Sequence, residues 1–262
     1  MNGMKKIIIA NWKMAPNRIA EAKKIFGRIK KTASGLRHVQ TVVCPPSLYL
    51  GDAGRMVTGH RCVVGAQDVS AHTDPAHTGE VSSRMLANAG ARYAIVGHSE
   101  RRAAGESSEL VNKKLKAALG QGLVPVLCVG ETERDPHGAY AHVIISQLTE
   151  SLAGVRKSQI GNVVIAYEPV WAIGKNAKRA ASVSDCLEIS LLVKKTLVDA
   201  YGKDAPEKVA ILYGGSVTPE NARGFLTEGG VDGLLVGRAS LDSEAFGRIL
   251  KTAHEVGNAK KK

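Results

Sequence analysis

The strongest constraint on this chain is a repeat of short, continuously apolar runs. They are Lys6–Ala10, Thr41–Cys44, Cys62–Ala66, Tyr93–Val96, Leu123–Val129, Val163–Tyr167, Val209–Tyr213 and Gly233–Val236. Strands buried on one face alternate apolar and polar residues, whereas strands buried on both faces do not, so these runs read as a parallel sheet covered on both sides. They recur roughly every 32 residues, the length of one strand–helix–strand unit. The intervening segments read as helices. Asn17 is placed to cap one that carries Ile19, Ala22, Ile25, Phe26 and Ile29 at helical spacing. Ser182-Val183-Ser184-Asp185 has the form of a capping box, ahead of Leu187, Leu191, Leu192 and Lys195. Thr218-Pro219-Glu220 reads as a third helix start.

Eight such units make either an open doubly wound sheet or a closed barrel. An open sheet of the dinucleotide-binding kind would place a glycine fingerprint after its first strand. Here the first run is followed by Asn11-Trp12-Lys13-Met14, which contains no glycine. With 262 residues and no long linker, the expected fold is α/β, a single-domain (β/α)8 barrel over residues 1–262 with a short frayed basic tail at about 257–262.

Composition narrows the function classes without choosing one. The 36 Lys and Arg against 24 Asp and Glu leave a net charge of +12, which favours anionic partners. Aromatic residues are only 4%, and no basic run is interleaved with stacking residues, so nucleic acid is not expected as a partner. No apolar stretch approaches a membrane span, so no membrane partner is expected either. The four cysteines, at 44, 62, 128 and 186, form no C-x-x-C pair and read as small buried thiols in a reducing, cytoplasmic compartment. No cofactor is expected, and no catalytic metal, because the acidic and histidine residues lack ligand spacing.

In a barrel, chemistry belongs at the C-terminal ends of the strands. Three runs end in ionisable residues: Asn11 and Lys13 after the first, His98 with Glu100 after the fourth, Glu168 after the sixth. A cation, an imidazole and a carboxylate on one rim make an acid–base site with a positive anchor. The last two runs end in glycine-bearing turns, Gly214-Gly215-Ser216 and Gly237-Arg238, where backbone N–H groups can approach a phosphate.

These residues carry a resemblance. Asn11-Trp12-Lys13-Met14, Tyr93-Ala94-Ile95-Val96-Gly97-His98-Ser99-Glu100-Arg101-Arg102, Ala166-Tyr167-Glu168-Pro169-Val170-Trp171-Ala172-Ile173-Gly174 and Tyr213-Gly214-Gly215-Ser216 resemble the triosephosphate isomerase family, in the family's order, from about Lys5 to Ile249. The resemblance implies a TIM barrel that interconverts dihydroxyacetone phosphate and glyceraldehyde 3-phosphate. It implies Glu168 as the base, His98 as a neutral electrophile, Lys13 as the screening cation, Asn11 as a polar donor and Glu100 as a supporting carboxylate. The glutamate–histidine pairing is the family's own known chemistry and comes with the resemblance. The resemblance also implies phosphate binding around Gly174, Ser216, Gly237 and Arg238, and a lid beginning at Pro169, Val170, Trp171, Ala172, Ile173 and Gly174. Thr78-Gly79-Glu80 matches the loop by which the family forms homodimers.

Two departures stand out. The family usually follows its lid motif with Thr-Gly-Lys-Thr-Ala. This chain has Lys175-Asn176-Ala177-Lys178-Arg179-Ala180-Ala181, about two residues longer and without the glycine, so altered lid kinetics are expected. Arg238 stands where many members have a second glycine.

Overall fold

A computed structural model describes residues 5–173 and 179–259. Strands β1 (Lys6–Asn11), β2 (Val39–Cys44), β3 (Cys62–Ala66), β4 (Ala91–Val96), β5 (Val124–Val129), β6 (Val164–Tyr167), β7 (Ala210–Tyr213) and β8 (Gly233–Val236) pair in sequence order, all parallel, and β8 closes on β1. The helices are α1 (Ile19–Ala33), α2 (Ser47–Met56), α3 (Ser83–Asn88), α4 (Ser99–Ala103), α5 (Ser108–Gly120), α6 (Ala139–Ser151), α7 (Val183–Tyr201), α8 (Ala205–Lys208), α9 (Ala222–Glu228) and α10 (Ser243–Ala259). The expected (β/α)8 barrel is therefore the observed fold. Each run found in the sequence is a strand, with ends shifted by two residues at most. Among the described residues, no helix is long and apolar enough to cross a membrane.

The continuous apolar runs have a simple cause. Successive strand side chains point to opposite faces, and both faces are buried here. Ile7, Ile9, Val42, Cys44, Ile95, Val126, Cys128, Val164, Ala166 and Leu212 belong to a cluster made of strand residues, which fills the barrel. Ile8, Ala10, Val43, Ala94, Leu127 and Ile165 belong to the larger cluster shared with the helices. The same alternation sets the rim: Asn11 continues the inward set Ile7–Ile9, and Glu168 continues Val164–Ala166, one step past each apolar layer.

Closure depends on a glycine. Gly233 pairs with Ile7 across the seam, and a Cβ there would strike the Ile7 carbonyl oxygen. The helices pack by their own stripes. On α1, Ala22, Ile25, Phe26, Ile29 and Ala33 are buried, and on α10 Phe246, Ile249, Leu250, Ala253 and Val256. The Ser182–Asp185 capping box forms as expected, with both reciprocal bonds present.

Two local expectations are corrected. Helix α1 begins at Ile19 behind Arg18, with no side-chain cap, so Asn17 does not cap it. Thr218 starts a turn, closed by Thr218 N–H donating to Asn221 Oδ1 at 2.8 Å, and α9 begins only at Ala222. On α7 the buried face is Cys186, Ile189, Val193 and Leu197, which leaves Leu191 55% exposed and Leu187 at the surface. A helix seated on a barrel is buried along a stripe set by its docking angle.

The four thiols are unpaired and buried, and burial pushes those of Cys62 and Cys186 up to about 12.

Candidate active site

β1 delivers Asn11 and Lys13. Asn11 is buried at the end of the strand, and its Oδ1 accepts the Lys13 backbone N–H at 3.0 Å. Lys13 stands at φ 53°, the left-handed region that a residue with a Cβ adopts only when its surroundings hold it there. Gln67, one residue beyond β3, supplies that hold: its Nε2 donates to the carbonyls of Lys13 and Cys44, each at 2.9 Å. The Lys13 Nζ is thereby aimed at Glu100, 2.5 Å from its Oε1.

β4 delivers His98 through a turn at Gly97, whose φ of 66° places the chain where α4 can start immediately. Arg102 secures this turn, donating to the Gly97 carbonyl at 2.9 Å and to the Cys128 carbonyl of β5 at 3.3 Å. His98 is the N-cap of α4: its Nδ1 accepts the Glu100 backbone N–H at 3.2 Å. An Nδ1 that accepts has no proton, so the ring's N–H is Nε2.

β6 delivers Glu168, which is only 3% exposed. Its Oε1 lies 3.0 Å from His98 Nε2, and its Oε2 accepts the Ser99 backbone N–H at 2.8 Å. Its backbone is pinned from β5, the Glu168 N–H donating to the Val129 carbonyl at 2.8 Å. Two glycines make room for it. A Cβ on Gly130 would collide with the Glu168 carbonyl, and one on Gly214 would press on the Glu168 Cγ at 3.0 Å.

The remaining sequence-predicted residues surround this set. Gly237 lies next to Lys13, an ideal Cβ on it being 3.6 Å from the lysine Cε. Ser216 and Arg238 are exposed on the turns after β7 and β8. Pro169, Val170, Trp171, Ala172 and Ile173 follow Glu168 directly, with Val170–Ala172 in a 3-10 turn, while Gly174 lies outside the described residues, as does Lys175–Lys178 of the altered hinge. Thr78, Gly79 and Glu80 are exposed. A cavity of about 700 Å³ opens over the rim, lined at one end by Lys13, His98 and Glu100 and at the other by Gly79 and Glu80.

Sequence reasoning missed Gln67, Ser99 and Glu131. Gln67 and Glu131 both stand just past a strand's end, where the rule that found Glu168 would have found them. Ser99 acts through its backbone N–H, for which no side-chain signal exists. Glu131, buried, accepts Tyr167 Oη at 2.9 Å, Trp171 Nε1 at 2.7 Å and Arg134 Nη1 at 3.1 Å. Burial, with the Glu131 charge beside it, pushes the Tyr167 hydroxyl far above the ordinary tyrosine range.

A carboxylate, an imidazole with a defined N–H and an ammonium stand together at the C-terminal rim of the barrel, the imidazole and the ammonium lining one cavity. That is acid–base equipment for a small anionic substrate. The sequence model of the triosephosphate isomerase family matches residues 6–253. The chain belongs to the triosephosphate isomerase family. Among its relatives, the triosephosphate isomerase of Symbiobacterium thermophilum is 42% identical over 251 residues, covering 95% of this chain and 97% of that one. That of Dictyoglomus thermophilum is 39% identical over 250 residues, covering 95% and 99%. A crystal structure of triosephosphate isomerase from Bartonella henselae superposes with a TM-score of 0.82 at 33% identity, covering 95% of this chain and 98% of that one.

Because Gly130 leaves space for the Glu168 backbone, its replacement is expected to move the carboxylate without altering it. Gly130→Ala should lower kcat by about tenfold to a hundredfold, as displacements of up to an ångström do, and leave KM nearly unchanged. Overpacking should lower stability by about 1–3 kcal/mol, measured by urea unfolding.

Proposed function

We propose that this chain interconverts dihydroxyacetone phosphate and D-glyceraldehyde 3-phosphate, a step of glycolysis and gluconeogenesis, by moving a proton between adjacent carbons through an enediolate. The observation that carries the reading is the relation of Glu168 to His98. A buried carboxylate lies 3.0 Å from an imidazole Nε2 whose other nitrogen is committed as an acceptor. A substrate carbonyl oxygen entering between them takes the Nε2–H in place of the carboxylate. Glu168, released from His98 and from the Ser99 N–H, removes the proton from the neighbouring carbon and returns it to the carbon that was the carbonyl, while the hydroxyl proton of the neighbouring carbon passes by way of the His98 imidazole to the former carbonyl oxygen. Negative charge gathers on oxygen during that transfer, and fixed donors around it lower the barrier most.

Lys13 supplies positive charge to the phosphate and the enediolate, with Asn11 holding its backbone and Glu100 its ammonium. Backbone N–H groups near Gly174, Ser216, Gly237 and Arg238 bind the phosphate. Their glycines allow the close approach, and the contact of Gly237 with Lys13 supports one shared anion site. The segment from Pro169 to Gly174 moves over the bound substrate, excluding water that would let the enediolate lose phosphate. Four buried free thiols favour a reducing, cytoplasmic setting.

The active unit is a homodimer joined through Thr78–Glu80. Met14 is 93% exposed and Leu48 84%, beside the cavity that Gly79 and Glu80 share with Lys13, and such apolar surface beside a loop tip favours a second copy.

A coupled assay of dihydroxyacetone phosphate turnover tests the reaction. Glu168→Gln should fold normally and lose about two to four orders of magnitude in kcat. Equal turnover by wild type and variant would refute the assignment. For the dimer, Gly79 stands at φ 87°, which proline cannot adopt. Sedimentation equilibrium should give twice the chain mass for the wild type. Gly79→Pro should give a monomer of reduced kcat, and a monomeric wild type of full activity would exclude the dimer.

A further inference from the structure

Arg179 belongs to the segment that departs from the family's usual sequence, and the reaction just described gives it no task. Its guanidinium carbon lies 4.5 Å from the centre of the Trp171 ring. The same guanidinium holds Asp185 with two bonds, Nη1 to Oδ2 at 2.6 Å and Nη2 to Oδ1 at 3.1 Å. Asp185 is fixed independently, because it closes the capping box of α7. At the edge of the indole, Trp171 Nε1 donates to the buried Glu131, and Glu131 is paired with Arg134. Arg134 reaches back to within 3.9 Å of Asp185. Trp171, Glu131, Arg134, Asp185 and Arg179 thus form a closed ring of contacts, with the indole as the one member on the segment that carries Glu168.

We infer that Arg179 is a positioning residue that clamps Trp171 in its ligand-free place, so that affinity for the phosphorylated ligand is set in part by how firmly this clamp holds. The inference rests on the proposed function in one respect, that Pro169–Ile173 shifts when ligand binds. In the described state the Glu168 carboxylate is engaged by His98 and Ser99, and the Val170 N–H donates to the Glu131 carbonyl at 3.1 Å. Every contact between Trp171 and the scaffold opposes the shift that frees Glu168. A cation on the indole face, locked by a bidentate carboxylate, adds to that opposition. Both contacts are partly exposed, which limits their effect to a few-fold in an equilibrium. Trp171 also keeps its Glu131 bond when Arg179 is removed, so the clamp biases the position and does not create it. Asp185 is the wrong side of the pair to remove, since the start of α7 depends on it.

The test compares wild type with Arg179→Ala, Arg179→Gln and Arg179→Lys. The readouts are the Kd of 2-phosphoglycolate, kcat, KM and the fluorine NMR signal of Trp171 in 5-fluorotryptophan-labelled protein. The chain has two tryptophans, and Trp12 is buried away from the clamp, so the two signals are separable. Arg179→Ala and Arg179→Gln should bind 2-phosphoglycolate about threefold to fivefold tighter, with KM lowered in proportion and kcat unchanged or reduced. Their ligand-free Trp171 signal should move toward its ligand-bound position, and Arg179→Lys should fall between these and wild type. A purely structural role would lower the melting temperature and leave Kd and the signal in place, which would overturn the clamp. Weaker binding in Arg179→Ala would overturn it as well, showing Arg179 to be a ligand contact. The ligand-free signal stands apart from turnover. A wild type without isomerase activity would refute the proposed function, whereas an unmoved Trp171 signal in Arg179→Ala refutes the clamp.

Discussion

Everything at the rim depends on the seam where β8 pairs with β1. The barrel is a parallel sheet, and a parallel sheet left open would have to cover both edges by other means. Closure removes the edges and brings the end of the chain beside its beginning. Gly233 makes this possible by letting its strand lie against the Ile7 carbonyl. Through that seam Gly237 arrives next to Lys13, though 224 positions apart in the numbering. Across the barrel, the same inward alternation that packs Ile7, Ile9, Val164 and Ala166 places Asn11 and Glu168 at the rim.

The chemistry follows from backbone more than from unusual side chains. His98 is given its tautomer by one N–H of α4, and Glu168 is given its resting place by another. Lys13 is held in a conformation that its Cβ disfavours by bonds from Asn11 and Gln67. Such fixed donors need no reorganisation when charge develops, which is why they contribute to rate and not only to binding. The net charge of +12, the one unusual bulk property, is mostly remote from this set. A net positive charge attracts anions, and less so as salt rises.

Most of the fold was legible in the sequence because burial on both strand faces leaves uninterrupted apolar runs. Cys62–Ala66 and Gly233–Val236 were located to the residue. Helix starts were legible only where a side chain does the capping, as at Ser182; α1 begins at Arg18 without such a bond, and nothing in Asn17 reveals that. Of the side chains at or past strand ends, Asn11, Lys13, His98 and Glu168 were singled out in the sequence and Gln67 and Glu131 were not, while the backbone contribution of Ser99 carries no side-chain signal. Ser99, Gly130 and Gly214 leave no local pattern, since what they do depends on which strand lies alongside. Arg179 illustrates the same limit: its pairing with Trp171 and Asp185 exists only once the barrel has brought α7 beside the end of β6.

The central claim is that Glu168 transfers a proton between carbons through an enediolate. Turnover of dihydroxyacetone phosphate in D2O, with the product trapped and its C2 hydrogen read by NMR, tests that claim most directly. A proton held on a carboxylate exchanges with solvent, so the glyceraldehyde 3-phosphate formed should contain deuterium at C2. Product with no deuterium at C2 would mean that the migrating hydrogen never meets solvent, and would contradict transfer by an exchanging Glu168 carboxyl.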